Sequence, residues 1–332
     1  MKPFAYTAPS SVDAVVEALR VAQPGTKILA GGTTLYDLMK LGVEAPSAVI
    51  DVHRLPELTG ISVTDSEVVL GAGVRMADVS DHPVIRPSYT ALAESIWRAA
   101  SQQLRNMATL GGNLLQRTRC GYFRDADMPC NKRNPGSGCA AMEGVDRPHA
   151  LLGASSLCSA TYAGDFAIAL LAFDAVVDVV GPRGERSIPL AELHVEPGED
   201  PRREHVLDID ELIVRIRVPL TEAGRGSTYL KIRDRESYAF ALASAAVGLV
   251  IDGSGIVTES RIALGGVATR PWRAVEAEQS LLGQPLTAAA ARRAGEIAFA
   301  AARPGRTNEF RIELGIRTVA DAVRTAGERA VR

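Results

Sequence analysis

The chain has 332 residues, of which 46% are hydrophobic and 23% charged, and its formal net charge is −2 at pH 7. This composition is typical of an ordinary soluble globular protein with enough residues for two or three domains. It excludes the basic excess of nucleic-acid-binding proteins, and no apolar run approaches membrane-spanning length.

The N-terminal segment MKPFAYTAPS lacks the charged region and the apolar region of an export signal. We therefore expect a protein of the cytoplasm, or one that reaches the periplasm folded together with a partner that carries the signal.

The first third of the chain predicts alternating short helices and strands. Ser10 or Ser11 can cap a helix that runs through Arg20, because its apolar residues recur at helical spacing. The predicted elements after this helix are a strand at 27–30, a short helix at 35–41, a strand at 48–51, and a strand pair at 60–63 and 68–71.

A glycine turn follows the first of these strands and consists of Ala30, Gly31, Gly32, Thr33, Thr34 and Leu35. A glycine pair at such a junction brings backbone N–H groups within reach of an anion, and the threonine hydroxyls add donors. The turn is therefore a candidate pyrophosphate site, although two glycines after a strand are often only a turn. It does not match the GxGxxG pattern, which disfavours a Rossmann NAD site.

A second turn repeats this chemistry with Thr109, Gly111, Gly112 and Asn113. A polar run at 101–106, which includes Asn106, precedes it. Two such turns can hold one diphosphate from two sides.

All four cysteines of the chain follow the second turn, and they are Cys120, Cys130, Cys139 and Cys158. Their spacing, C-x9-C-x8-C-x18-C, has no close pair of the kind that structural zinc sites use. An iron–sulfur cluster tolerates wide spacing, because each iron takes its own cysteine. The residues leave three interpretations open: a cluster, a zinc site, or four unconnected thiols.

The segment between the cysteines is rich in proline and glycine, which forbid a long helix and let backbone approach a ligand closely. It is also cationic, and this charge either offsets an anionic cluster or belongs to a solvated loop. The basic residues are Arg117, Arg119, Arg124, Lys132 and Arg133.

The C-terminal third predicts an antiparallel meander followed by helices. The predicted strands are 227–233, 240–251 and 256–264, and the predicted helices are 272–282, 287–302 and 309–326.

The segments AGGTTLYDLMK and QLRNMATLGGNLLQRTRC resemble the two FAD-binding turns of the flavin subunits of molybdenum hydroxylases, the xanthine dehydrogenase family. The resemblance extends over essentially the whole chain. The cysteine segment, CGYFRDADMPCNKRNPGSGCAAMEG and then HALLGASSLC, is similar to flavin subunits of bacterial periplasmic-type aldehyde oxidoreductases. In those proteins this insertion holds a 4Fe-4S cluster.

The resemblance implies an α+β fold. A two-lobed α/β FAD-binding domain of the vanillyl-alcohol-oxidase type is expected at 1–220, with the cluster insertion at about 115–160. A small C-terminal antiparallel sheet with helices, of the CO dehydrogenase flavoprotein type, is expected at 225–332.

The resemblance also assigns roles to residues. The two glycine turns and Asn106 would bind FAD, and the four cysteines would bind the cluster. Asp165 matches an acidic position near the cofactor, with a helix N-cap as the alternative. Lys231 matches a lysine placed toward the flavin, with a surface lysine as the alternative. Tyr238 and Phe240 would line the isoalloxazine ring or merely pack.

The implied function is electron transfer within a heterotrimer, with no catalytic acid or base on this chain. A large subunit with a molybdenum cofactor would oxidise the aldehyde, and a small subunit would carry 2Fe-2S clusters. This chain would pass the electrons through FAD to an external acceptor. Two alternatives are a flavin subunit like that of hydroxybenzoyl-CoA reductase and a zinc-stabilised scaffold subunit that binds no flavin.

Overall fold

The computed structural model describes residues 1–331, which form three sheets surrounded by helices. The strands of the described chain are β1 (Ala5–Thr7), β2 (Thr26–Leu29), β3 (Ala48–Asp51), β4 (Ile61–Val63), β5 (Glu67–Gly71), β6 (Val176–Gly181), β7 (Gly184–Pro189), β8 (Leu212–Pro219), β9 (Thr228–Ile232), β10 (Ala243–Ile251), β11 (Val257–Gly265) and β12 (Trp272–Arg273).

Most helices are short, and the long ones lie near the C-terminus. Those within residues 1–331 are α1 (Val12–Arg20), α2 (Leu35–Lys40), α3 (Met76–Ser80), α4 (Ile85–Ser88), α5 (Thr90–Trp97), α6 (Gln102–Arg105), α7 (Leu110–Leu114), α8 (Gly121–Arg124), α9 (Phe166–Ala172), α10 (Leu190–Leu193), α11 (Val275–Gln279), α12 (Ala288–Ala298) and α13 (Phe310–Ala330). None of these helices combines the length and the apolar character that crossing a membrane requires.

The N-terminal sheet is parallel, with the strand order β1-β3-β2. Helix α1 begins where predicted, because the Ser11 hydroxyl accepts the backbone N–H of Ala14 at 3.2 Å. Val15 and Leu19 of α1 are buried in a core that they share with β3. The predicted order of strand, glycine turn and short helix is confirmed here.

The second sheet is antiparallel and has the order β4-β5-β8-β6-β7. Helix α9 contacts α5 as well as β10 and β11, so it lies between this lobe and the C-terminal part. Every residue of α9 is buried, as expected for a helix that is apolar on all sides.

The C-terminal sheet has the order β12-β11-β10-β9, and α13 packs on β9 and β10. The predicted meander is confirmed, but the helix predicted at 272–282 is wrong in its first part. Trp272 and Arg273 pair with β11 as a fourth strand, and the helix begins only at Val275. The sheet edge offered by β11 overrides the helical pattern of this segment.

The cysteine segment has little regular structure, as its prolines and glycines predict. The Arg133 guanidinium holds the segment together by donating to the carbonyl oxygens of Tyr122 and Phe123 at 3.0 and 2.6 Å. Cys130 and Cys139 face each other across an isolated antiparallel bridge.

Candidate cofactor sites

The first glycine turn is in direct contact with the backbone that leads into the second. A Cβ atom on Gly31 would lie 2.0 Å from the carbonyl oxygen of Met107, so only glycine fits this position. Gly32 has a φ of +72°, in the left-handed region. The two turns, which are some eighty residues apart in the sequence, therefore meet as expected.

The second turn is the start of a helix rather than an open loop. Thr109 caps α7, and its hydroxyl accepts the N–H of Gly112 at 3.3 Å. The N–H of Gly111 donates to the carbonyl of Ala72 at 2.8 Å, and a Cβ on Gly111 would meet the Cβ of Ala72 at 3.0 Å. This turn is fixed by contacts with the strand β5 region.

Both turns line a cavity of about 480 Å³, which we call the glycine-turn cavity. Its volume lies in the range of ligand pockets. The predicted residues on its wall are Ala30, Gly31, Gly32, Thr33, Thr34, Leu35, Thr109, Gly111 and Gly112. Backbone groups and hydroxyls thus converge on one space, which fits the chemistry of a diphosphate.

Two predicted residues lie outside this wall. Asn106 is exposed, and its side-chain oxygen accepts the Gln102 amide at 2.9 Å. The Asn113 amide nitrogen lies 3.4 Å from the sulfur of Met76, and its buried oxygen has no partner within the described chain. Neither side chain contributes to the glycine-turn cavity.

A segment that sequence reasoning missed forms the opposite wall, at residues 202–213. It includes Arg203, His205 and Asp208. Burial lowers the pKa of His205, and its Nδ1 is buried without a hydrogen-bond partner among the described residues. No motif marks this segment, because the pairing of β8 with β5 and β6 is what carries it to the cavity.

Asp165 and Lys231 form a buried ion pair, with Nζ and Oδ2 2.7 Å apart. Asp165 occupies the N-cap position of α9, as the alternative predicted, but its side chain makes no capping hydrogen bond. Its other oxygen accepts the Tyr229 hydroxyl at 2.7 Å. Lys231 also donates to the Arg98 carbonyl, and its side chain is 1% exposed, so the surface-lysine alternative is wrong.

A smaller cavity of about 80 Å³ adjoins this pair, and we call it the linking cavity. Asp165, Phe240, Cys120 and His149 are among the residues that line it. The Arg119 guanidinium lies over the Phe240 ring at 5.6 Å. Tyr238 is 56% exposed and lies outside its wall.

All four cysteines line a third cavity, the thiol cavity, together with His149. Three of the thiols are buried, Cys139 is half-buried, and none forms a disulfide. Burial raises the pKa of the Cys120 thiol to about 11 and also raises that of Cys158. The fold therefore brings the four thiols together, and Cys120, Cys130 and Cys158 also pack in an apolar cluster with Leu38 and Phe123.

The donor set can be compared with the requirements of the two metal interpretations. Thiolates that share one zinc ion lie about 2.3 Å from it and so roughly 4 Å from each other. Among residues 1–331 no group of three or more His, Cys, Asp or Glu side chains is placed to hold one ion. Four thiols spread around one cavity fit a cluster in which each iron takes a separate cysteine.

The cations of the cysteine segment are engaged with protein groups. Lys132 lies 3.2 Å from Glu204, and Arg117 pairs with both Glu204 and Glu44. Lys132 lines the thiol cavity, whereas Glu204, Arg117 and Glu44 line the glycine-turn cavity. The predicted basic stretch is therefore a chain of ion pairs that joins the two cavities.

Comparison with known proteins agrees with this arrangement. The model of the FAD binding domain in molybdopterin dehydrogenase matches residues 2–221, and that of the CO dehydrogenase flavoprotein C-terminal domain matches residues 228–326. The aldehyde oxidoreductase FAD-binding subunit PaoB of Escherichia coli (strain K12) is 46% identical over 99% of this chain and 100% of that protein. The carbon monoxide dehydrogenase medium chain of Hydrogenophaga pseudoflava is 29% identical over 91% of this chain and 88% of that protein.

A solved structure of the carbon monoxide dehydrogenase of H. pseudoflava, in a form that lacks the Mo-pyranopterin moiety, matches with a TM-score of 0.77 and covers 99% of both chains. This likeness confirms the predicted α+β fold, in which an FAD-binding part precedes an antiparallel sheet with helices. The chain belongs to the family of FAD-binding subunits of molybdenum hydroxylases, which are oxidoreductases.

Proposed function

We propose that this chain is the FAD- and 4Fe-4S-containing electron-transfer subunit of a heterotrimeric, molybdenum-dependent aldehyde oxidoreductase. One observation carries the cluster part of the proposal: all four cysteines line a single cavity. The identity of 46% to a subunit named for aldehyde oxidoreductase supports the substrate class.

The glycine turns would hold the FAD diphosphate through backbone N–H groups and the hydroxyls of Thr33, Thr34 and Thr109. Gly31 and Gly111 act differently, because their missing Cβ atoms let the turns pack against Met107 and Ala72. The bound FAD would supply the electron-transfer chemistry that connects aldehyde oxidation on a partner subunit to an external acceptor.

The Asp165–Lys231 pair would lie toward the flavin ring, as the resemblance implies. Asp165 holds the ammonium group in place, and Tyr229 holds the carboxylate through a further hydrogen bond. A cation fixed in this way favours negative charge on a nearby reduced flavin.

The partners in this proposal are a large subunit with the molybdenum cofactor and a small subunit with 2Fe-2S clusters. Relatives described as a medium chain and as an FAD-binding subunit support a multi-subunit assembly.

The test is a quantification of flavin, iron, sulfide and zinc, with a visible spectrum, on the chain purified without oxygen after co-expression with the partner subunits. About one FAD and about four irons per chain are expected. A variant with all four cysteines changed to serine should keep FAD and lose iron. FAD with zinc or with no metal in the native chain would contradict the cluster, and a colourless chain would contradict both cofactors.

A further inference from the structure

His149 stands at the boundary between the thiol cavity and the linking cavity, and it lines both. Its side chain is buried, and its Nε2 atom lies 3.2 Å from the sulfur of Cys120. Cys120 is the thiol of the four that also lines both cavities. The ring therefore contacts the cysteine nearest to the Asp165 side of the molecule.

The backbone of His149 is fixed by the C-terminal part of the chain. Its carbonyl oxygen accepts hydrogen bonds from Arg311 at 2.6 Å and from Asn308 at 3.2 Å. Its N–H donates to the carbonyl of Asp146 at 2.8 Å. These contacts limit how far the imidazole can move away from Cys120.

Arg311 is unusual, because it is fully buried and its hydrogen-bond acceptors are carbonyl oxygens rather than a carboxylate. Besides that of His149, these are the carbonyls of Arg147, Leu242 and Gly266. The guanidinium thus ties the His149 segment to the C-terminal sheet while leaving one positive charge in the interior near the thiol cavity. A cluster held by thiolates is anionic, so its negative charge and the positive charge of Arg311 attract each other.

The direction of the hydrogen bond follows from the donors and acceptors present. A cysteine sulfur bound to iron has lost its proton and can only accept. A neutral imidazole has one N–H group, so the proton must lie on Nε2 for the contact with Cys120 to be favourable. Nδ1 is buried and makes no hydrogen bond within residues 1–331.

We propose that His149 is a positioning residue that donates a hydrogen bond to the Cys120 ligand of the cluster and raises the reduction potential of the cluster. Hydrogen bonds to cluster sulfurs set this potential, because they stabilise the more negative, reduced state. This inference rests on the cluster assigned under the proposed function.

The experiment compares the native full-length chain with H149F and H149Q, purified without oxygen. Phenylalanine keeps a ring but removes the donor, whereas glutamine keeps an N–H group. H82Q is the matched control, because His82 lies outside all three cavities. A redox titration followed by EPR measures the cluster potential, and the potential of the flavin in the same sample is the internal reference.

We expect H149F to lower the cluster potential relative to the native chain while the flavin potential stays unchanged. The cluster potential of H149Q should lie between those of H149F and the native chain, and that of H82Q should equal the native value. Equal potentials in H149F and the native chain, at equal iron content, would overturn the inference.

A second measurement needs no variant and so covers the case in which H149F loses iron. Electron–nuclear double resonance of the reduced native cluster should detect an imidazole nitrogen and an exchangeable proton near the iron, and their absence would overturn the inference. A native chain without any cluster would instead refute the proposed function, which the iron analysis reveals separately.

Discussion

The glycine-turn cavity and the thiol cavity are neighbours that the chain builds in opposite ways. At the two turns the first is shaped by backbone, since Gly31 and Gly111 leave room for other parts of the main chain. The second is shaped by side chains on an irregular segment that Arg133 and Lys132 hold in place. FAD binding should therefore be sensitive to added volume, and metal binding to the loss of single side-chain groups.

Cys130→Ser is expected to produce the largest difference between the two sites, in iron content and FAD content. One of the four thiols disappears, so iron should fall from about four per chain to near zero while FAD content stays at the native level. Iron analysis and the flavin absorbance of the same sample measure both quantities. Met128→Leu, an exposed change in the same segment, is the control.

The aldehyde turnover and the folding of the same variant then show whether the cluster is an electron relay or has a structural role. Rapid aldehyde turnover by intact Cys130→Ser assembly without iron at this site would exclude an obligatory relay. Loss of folding would instead favour a structural role.

Lys231→Met tests the buried ion pair beside the linking cavity. It leaves the Asp165 carboxylate buried without its cation, which costs about 3–5 kcal/mol of the free energy of unfolding. Urea unfolding measures this loss, with the exposed change Lys40→Met as the control. Adding Asp165→Asn to Lys231→Met should restore part of the free energy of unfolding. If the double variant instead loses the sum of the two single losses, the two side chains do not interact as an ion pair.

Gly31→Ala is the volume test of the glycine-turn cavity. The new Cβ would lie 2.0 Å from the Met107 carbonyl oxygen, so the two turns must move apart. We expect a loss of about 1–3 kcal/mol and a clear drop in FAD content, with iron retained. Gly60→Ala is the control, because a Cβ there meets nothing within 4 Å. Unchanged FAD content in Gly31→Ala would show that the turns need not touch.

The last effect disappears at neutral pH and concerns His194, whose Nε2 atom lies 2.9 Å from the carbonyl oxygen of Leu114 at the end of α7. Burial lowers the pKa of His194 to about 4, below the value of about 6.5 in an unfolded chain. The neutral ring therefore contributes stability that is fully present above pH ~6.5 and is lost as the pH falls toward ~4.

The measurement is urea unfolding of the native chain and His194→Gln at pH 7 and pH 4. The native chain should lose about 3 kcal/mol more than the variant between these two pH values. His82→Gln should behave like the native chain. An equal loss in native chain and His194→Gln would show that this histidine does not titrate as described.

Much of the local structure could be predicted, because its causes are close in sequence. The Ser11 cap, the strand before the first glycine turn and the meander at 228–265 depend on neighbouring residues, and all of them were found. The strand at Trp272 was missed, since its pairing partner in β11 lies several residues away and competes with a helical pattern. The cavity wall at 202–213 was missed for the same kind of reason.

The sequence by itself determined the chemistry of this protein: two glycine turns suited to a diphosphate, four cysteines in one segment, and a resemblance that names the family. Which groups meet depends on the folded chain. It buried Asp165 against Lys231, placed His149 beside Cys120, and linked Lys132 through Glu204 to the other cavity. The physical reason is that residue type and spacing specify what a side chain can do, whereas its partner depends on packing between segments that are remote in the chain.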